Sequence, residues 1–344
     1  MYKKILVANR GEISLRIIRA CRELNIRTVA IYSKADELSL HTKFADEAIC
    51  IGPAVSSKSY LNMAAIISAA ELTNADAIHP GYGFLSESSK FSRICAENGI
   101  EFIGPTPEII DAMGNKSNAK EKMKNIGVPV ILGSKGLISN IDDAYNEAAK
   151  IGYPVILKAS AGGGGKGIRV VNNENDFEHA FNIAISEAEM SFSNGDLYLE
   201  KYIKKPRHIE VQILADKHGN VITLGERECS IQRKHQKLLE ESPSIGITES
   251  TRKLMYEAAI IGAKSTNYIG AGTVEFLVDI NNNFFFMEMN TRIQVEHPVT
   301  EMVIGADLIK HQILCHAGLP IPEWMKNIKI RGHSIECRIN KKEK

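Results

Sequence analysis

Glu275 and Glu288 lie on two strand-like runs, Thr273–Val278 and Phe284–Asn290, that flank an Asn281-Asn282-Asn283 turn. A loop centred on Asn281 and Asn282 pairs 280 with 283, and the same register sets Glu275 opposite Glu288. Asn290, two residues on, shares the face of Glu288. Like charges opposed on neighbouring strands destabilise a sheet unless a cation lies between them. Hard oxygen ligands, few in number, suit Mg²⁺ that is also held by substrate phosphates. The plain alternative is a solvated polar face, but Phe276, Phe286 and Met287 argue for a largely buried hairpin.

A second chemical feature is the glycine run from Lys158 to Gly167. It is not a Walker A loop: Gly167 follows Lys166 where Ser or Thr is required, and Ile168-Arg169-Val170-Val171 continues as a strand instead of a helix. A glycine hairpin between two strands remains, whose amides can close over polyphosphate oxygens. The third feature is cationic. Gln232 to Lys237 clusters several bases, and Thr291-Arg292-Ile293-Gln294-Val295-Glu296 follows the acidic hairpin at once. Arg292 there can hold a small oxyanion and Glu296 can act as a base. No nucleophile elbow or Cys-His dyad is present, which disfavours covalent catalysis.

These residues need a scaffold. The first hundred residues alternate strand and helix patterns, with strands at 4–8, 28–32, 75–79 and 101–104 and helices at 11–24, 60–72 and 87–98. Such repeats predict a Rossmann-like α/β layer with a parallel sheet, yet Gly11 alone follows the first strand and the G-x-G-x-x-G fingerprint is missing. A boundary is expected just after Met113-Gly114, giving an N-terminal domain of 1–114. An α+β domain then covers 115–330, with helices at 174–190, 248–266 and 300–317 and a mobile glycine-rich lid at about 131–203. Residues 331–344 read as the first strand of a further domain, with His333, Ile335, Cys337 and Ile339 forming one apolar face.

With 42 Lys and Arg against 41 Asp and Glu in 344 residues, net charge is +1, so no bulk attraction draws the chain to nucleic acid or anionic lipid. No run approaches the ~20 apolar residues of a membrane helix. The six cysteines form no C-x-x-C pair, so a disulfide or zinc framework is not expected, and the cytoplasm is the default location.

Taken together, the segments Ile5–Ile13, His79–Glu87, Lys158–Gly167, Gln232–Lys237 and Glu288–Pro298 resemble the biotin carboxylase family of the ATP-grasp superfamily. The likeness implies ATP phosphates neutralised by Lys116 and Lys158 under a lid bearing Gly164 and Gly165. It implies adenine read by Glu200, Lys201 and Ile203 with Leu277 beneath it, and a nucleotide site lined by His208, Gln232 and His235. Glu275, Glu288 and Asn290 correspond to ligands of Mg²⁺ or Mn²⁺. Lys237, Arg292, Gln294 and Val295 match a bicarbonate pocket, Glu296 the base that deprotonates bicarbonate, and Arg338 the residue that stabilises the biotin enolate. The implied reaction forms carboxyphosphate from ATP and bicarbonate and then transfers CO₂ to biotin.

The resemblance also implies partners: a biotin carboxyl carrier protein bearing the biotin, a carboxyltransferase, and a homodimer at full length. Fatty acid biosynthesis is the implied setting. The family continues into a C-terminal domain where this chain ends, so weaker dimerisation and slower biotin carboxylation are expected of the 344 residues. The helix bearing Arg16, Arg19 and Glu23 resembles the family's dimer contact and could equally be a solvated face. Two other readings compete: another ATP-grasp ligase joining a carboxylate to an amine, and an ATP-binding fragment without turnover. ADP release that depends on bicarbonate, on an amine, or on neither separates the three.

Overall fold

The structure is a computed structural model, and it describes residues 1–134, 136–138, 140–159, 168–192, 195–233 and 236–339. Lys4–Val7 (β1), Arg27–Ser33 (β2), Glu47–Gly52 (β3), Ala77–His79 (β4) and Glu101–Phe102 (β5) form a parallel sheet in the order β3-β2-β1-β4-β5. β1 is central because it is apolar on both faces. Ile5 and Val7 pack with Ile13, Ile17 and Cys21 of helix Gly11–Glu23, whereas Leu6 packs on the other side with Ile66 and Phe91. β3 is absent from the sequence expectation: it lies at the sheet edge with only Ile51 buried, so it shows no apolar run.

The winding reverses between β1 and β4, the place where open α/β sheets bind ligands beyond their carboxyl ends. The loops that follow these strands are tied together there: Asn9 Nδ2 donates to the carbonyls of Pro80 and Tyr82, both at 2.7 Å. Gly81, at φ +64°, brings its backbone so close that a Cβ would meet Asn9 Nδ2 at 3.1 Å.

Beyond residue 114, Val155–Ala159 (β6), Ile168–Val171 (β7) and Leu197–Lys201 (β8) make a small antiparallel sheet ordered β7-β6-β8. Helices Ile141–Ile151 and Phe177–Phe192 back it with a core of their own, including Phe177, Phe181 and Leu199. Gly164 and Gly165, between β6 and β7, lie outside the described residues. The larger sheet contains Arg207–Ala215 (β9), Val221–Arg233 (β10), Gln236–Ser242 (β11), Gly270–Val278 (β12), Phe284–Asn290 (β13) and Ser334–Cys337 (β14). Its order is β13-β12-β9-β10-β11-β14, antiparallel throughout. One face of it packs on helix Glu249–Lys264 through Val211, Ile213, Val274 and Phe276, and the polar face is left for chemistry.

Two expectations are corrected here. The helix expected over 300–317 is two helices, His297–Ile304 and Leu308–His316. Gly305 ends the first in the left-handed region at φ +66°, and Asp307 caps the second by accepting from Lys310 N at 2.8 Å. The β12–β13 turn is also not centred on Asn281 and Asn282. Asp279 pairs with Asn283 around a three-residue loop, with Asn282 at φ +63° and Asp279 Oδ1 accepting from the amides of Asn281 and Asn283. Val278, Leu277 and Phe276 therefore face Phe284, Phe285 and Phe286, one residue off the expected register. A bulge at Met287 then restores the pairing of Glu275 with Glu288.

Candidate active site

Alternation along β9 turns His208, Glu210 and Gln212 to the polar face of the large sheet, and the register brings them against their neighbours. Glu210 lies between Arg227 of β10 and Glu275 of β12, both directly opposite it. Glu210, Arg227 and Glu275 are buried, so each charge requires a partner. Arg227, with no exposed surface, spends its guanidinium on five acceptors. These are Glu210 at 2.5 Å, Gln212 at 2.7 Å, Thr300 and Gln294 at 2.8 Å, and Thr273 at 3.2 Å. The planar fork of Arg suits such a set, where the point charge of Lys would not.

Lys237 enters from β11. Its Nζ lies 2.5 Å from Glu210, 2.7 Å from Glu296 and 3.0 Å from Glu275. Burial alone would favour a neutral amine, but the three carboxylates outweigh it and push Lys237 above its ordinary pKa. Lys237 is thus a fixed positive charge. Burial would likewise raise Glu275, yet the His208 hydrogen bond and the Lys237 ammonium hold it well below the usual carboxylate range. Glu275 Oε2 meets His208 Nε2 at 2.8 Å, and its Oε1 accepts from Asn290 Nδ2 at 2.8 Å and Gln294 Nε2 at 3.0 Å. Gln232 closes this edge by meeting His208 Nδ1 at 2.8 Å. His235 lies outside the described residues.

The segment after β13 crosses the site. Arg292 reaches Glu87 of the N-terminal unit at 2.8 Å and Asn290 Oδ1 at 3.1 Å, while Thr291 N donates to Glu87 at 3.3 Å. Val295 is half-buried between Gln294 and Glu296. Glu296, buried, divides its oxygens: Oε1 faces Lys237, and Oε2 accepts from Arg338 Nη2 at 2.8 Å. Arg338 follows β14 and also donates from Nε to Glu240 at 2.6 Å.

On the side of the small sheet, Lys116 pairs with Glu288 at 2.7 Å. Glu200 is buried between Lys120 and Lys158, and these two ammonium groups keep its carboxylate ionised against the cost of burial. Lys201 points its Nζ elsewhere, to the carbonyls of Gly152 and Tyr153 at 2.8 Å each, so only its backbone is left for a base. Ile203 and Leu277 are half-buried, Leu277 directly opposite His208. Glu275, Glu288 and Asn290 share one hairpin face and offer hard oxygens, a donor set that fits a divalent cation, with lysines standing against the carboxylates.

Sequence reasoning missed Glu87, Lys120, Glu210, Arg227 and Glu240. Glu210 carried a signal in principle: His208-Ile209-Glu210-Val211-Gln212-Ile213 alternates, but alternation cannot tell a face turned to water from one turned to a site.

Residues 1–110 match the family described as "Biotin carboxylase, N-terminal domain", and residues 115–324 match "Carbamoyl-phosphate synthase L chain, ATP binding domain". The chain is 55% identical over 341 residues to biotin carboxylase 1 of Bacillus subtilis, covering 99% of this chain and 76% of that protein. It is 56% identical over 339 residues to the biotin carboxylase of a Nostoc species, with 98% and 76% covered. Among solved structures it is similar to a biotin carboxylase complex from Campylobacter jejuni, with TM-score 0.90, 55% identity, and 98% and 76% of the two chains covered. The bicarbonate-bound biotin carboxylase domain of a thermophilic 2-oxoglutarate carboxylase matches with TM-score 0.93, 49% identity, and 98% and 74% covered.

Proposed function

The chain belongs to the biotin carboxylase family and performs the ATP-dependent half-reaction that carboxylates biotin, and we propose the following division of labour among its residues. Lys116 and Lys158 exchange their carboxylate partners Glu288 and Glu200 for ATP phosphate oxygens. Glu275, Glu288 and Asn290 hold Mg²⁺, which when bound offsets phosphate charge. The backbone of Glu200, Lys201 and Ile203 lies against adenine with Leu277 beneath it; His208, Gln232 and His235 border the nucleotide, and Gly164 and Gly165 cover it.

Lys237, Arg292, Gln294 and Val295 form the bicarbonate pocket. Glu296 takes the bicarbonate proton once one of its two cation contacts yields to the substrate, and a bicarbonate oxygen attacks the γ-phosphorus of ATP, whose bond to the bridging oxygen breaks to give carboxyphosphate and ADP. Fixed cations around this step supply positioning and charge neutralisation without reorganisation. Carboxyphosphate then gives CO₂ and phosphate, the phosphate takes the N1 proton of biotin, and Arg338 steadies the resulting enolate, which attacks CO₂.

The observation that carries this reading is the seat of Lys237, which joins Glu275 of the acidic hairpin to Glu296 of the following loop. Within the same reading, the chain works with a biotin carboxyl carrier protein and a carboxyltransferase component, in the cytoplasm, and as a homodimer. Arg16 is engaged inside the chain with Glu301 at 2.9 Å and Asp307 at 2.8 Å, and Glu23 pairs with Lys310 and Arg19, which leaves Arg19 the most exposed of the three charges. Mass spectrometry of a biotinylated carrier incubated with the chain, ATP and bicarbonate tests the assignment. A carboxyl adduct is expected, and ADP release that depends on an amine instead of bicarbonate would overturn it.

A further inference from the structure

Arg338 is held from two sides, and only one of them is Glu296. The other is Glu240 of β11, which is fully buried and accepts from Arg338 Nε through Oε1. Glu240 Oε2 is also buried and has no hydrogen-bond partner among the described residues. A buried acceptor left unmade costs about 1–3 kcal/mol, more if charged, so it calls for a donor. The residue directly opposite Glu240 across the β11–β14 ladder is Glu336, half-buried on the same face. A carboxyl group can donate there only when it carries a proton.

We propose that Glu240 and Glu336 share one proton, the Glu336 carboxyl donating to Glu240 Oε2, and that this pair seats Arg338 against Glu296. The charge balance around the pair supports it. Glu296 already has Lys237 and Arg338, and Arg227, the other nearby cation, is committed to Glu210. From the flanking elements, His297 and Glu301 of helix His297–Ile304 are bound to Gln294 O and to Arg16, and Lys237 and Glu210 are bound to each other. One guanidinium therefore serves three carboxylates, Glu240, Glu296 and Glu336. Burial first, then the charges of Glu240 and Glu296, push Glu336 up to about 7, and burial raises Glu240 against the pull of Arg338. Leu238, extra in β11 where it pairs with β10, is the device that turns Lys237 and Glu240 to one face, and its carbonyl accepts from Arg338 N at 3.0 Å.

Glu240 is thus a positioning residue that acts through Arg338, and this part of the inference rests on the enolate role proposed for Arg338. With one proton in the pair, Arg338 balances Glu240 against Glu296. Once the proton leaves, a second negative charge draws the guanidinium toward the pair and away from biotin.

Carboxyl NMR of the full chain labelled with ¹³C at the glutamate side chains reads the proton directly, with no substrate present. One glutamate should titrate near pH 7, its resonance should vanish in Glu336→Gln, and its midpoint should fall by about a unit or more in Glu240→Gln, where the repelling charge is gone. The absence of any glutamate midpoint above about 5.5, or a midpoint unmoved by Glu240→Gln, overturns the shared proton. The seating of Arg338 is read from KM for free biotin at saturating ATP and bicarbonate. KM should rise about threefold or more as pH passes 7 in the unaltered chain and stay flat in Glu336→Gln, whose amide donates at every pH. A parallel rise in both overturns the seating.

Discussion

Glu275 and Glu288 face each other across a ladder, yet they differ in what their removal should do. Glu288 is partly exposed and has one ion pair, to Lys116, of a kind worth about 0–1 kcal/mol. Glu288→Gln should therefore abolish ATP turnover and leave the urea midpoint close to that of the unaltered chain. Glu275 is buried and serves His208, Lys237, Asn290 and Gln294, so Glu275→Gln should lose turnover and about 1–3 kcal/mol of stability as well. An ADP-release assay beside a urea titration separates the two, and full turnover by Glu288→Gln would remove it from the metal set. The same scale divides the two chemical steps. Arg292→Ala and Glu296→Gln should suppress bicarbonate-dependent ATP cleavage, since the roles proposed for both residues precede carboxyphosphate. Arg338→Ala should spare that cleavage relative to biotin carboxylation. Equal losses in both assays would mean that Arg338 does not belong to the second step.

At the scale of strands, the site is a set of charges delivered by separate elements to one sheet face. Glu210 comes from β9, Lys237 from β11, Glu275 from β12 and Glu296 from the loop after β13, and Lys237 is the cation they share. Lys237→Met should take a shared cation from three buried carboxylates, leaving Glu210 to Arg227, Glu275 to His208 and Glu296 to Arg338. It should cost about 3–5 kcal/mol, because breaking a buried ion cluster strands excess charge. Adding Glu210→Gln should recover part of that loss. A denaturation midpoint unchanged by Lys237→Met would show that the cluster is not closed as described. This convergence explains what was legible in the chain. The acidic hairpin could be read because both its strands and its turn are contiguous, and the pairing of Glu275 with Glu288 came through even though two opposite one-residue shifts were hidden behind it. The parallel layer was readable from strand and helix periods, except β3, whose edge position removes the apolar signal. Glu210, Arg227 and Glu240 were not readable, because their partners lie at least 15 residues away in other elements and no local pattern marks a buried charge. The helix over 300–317 was misread because its apolar residues keep helical spacing through a break set by Gly305 and Asp307.

Across the whole molecule, the two units meet over buried histidines. His79 ends β4 of the parallel sheet, while His297 and His316 come from the two helices that follow the active-site loop, and all three are almost wholly buried. His79 Nδ1 accepts from Gly81 N at 3.1 Å, which fixes the neutral ring with its proton on Nε2. Burial pushes His79 down to about 3 and His297 to about 4 from an ordinary 6.5, and lowers His316 as well. Below 6.5 the unfolded chain binds protons at these positions and the folded chain does not. A folded pKa that is depressed gives stability present above the unfolded value and lost as pH falls toward the folded one. Glu336 works in the opposite sense, because its raised value gives stability present below 4.5 that is lost as pH rises through about 7. Glu210 and Glu275, held low, begin to cost stability only below 4.5. Between 6.5 and 4.5 the three histidines outnumber Glu336, which offsets about one of them. Each fully depressed histidine contributes a slope of about 1.4 kcal/mol per pH unit once the unfolded form is protonated. Urea midpoints should hold nearly level down to about pH 6.5 and then fall steadily toward about pH 4.5. His79→Asn, which keeps an acceptor for Gly81 N and cannot titrate, should lower the midpoint at neutral pH and make the acid slope shallower. An unaltered slope in that variant would mean that His79 is protonated within the fold, and the packing of the parallel sheet against the active-site helices would then have to admit a charge.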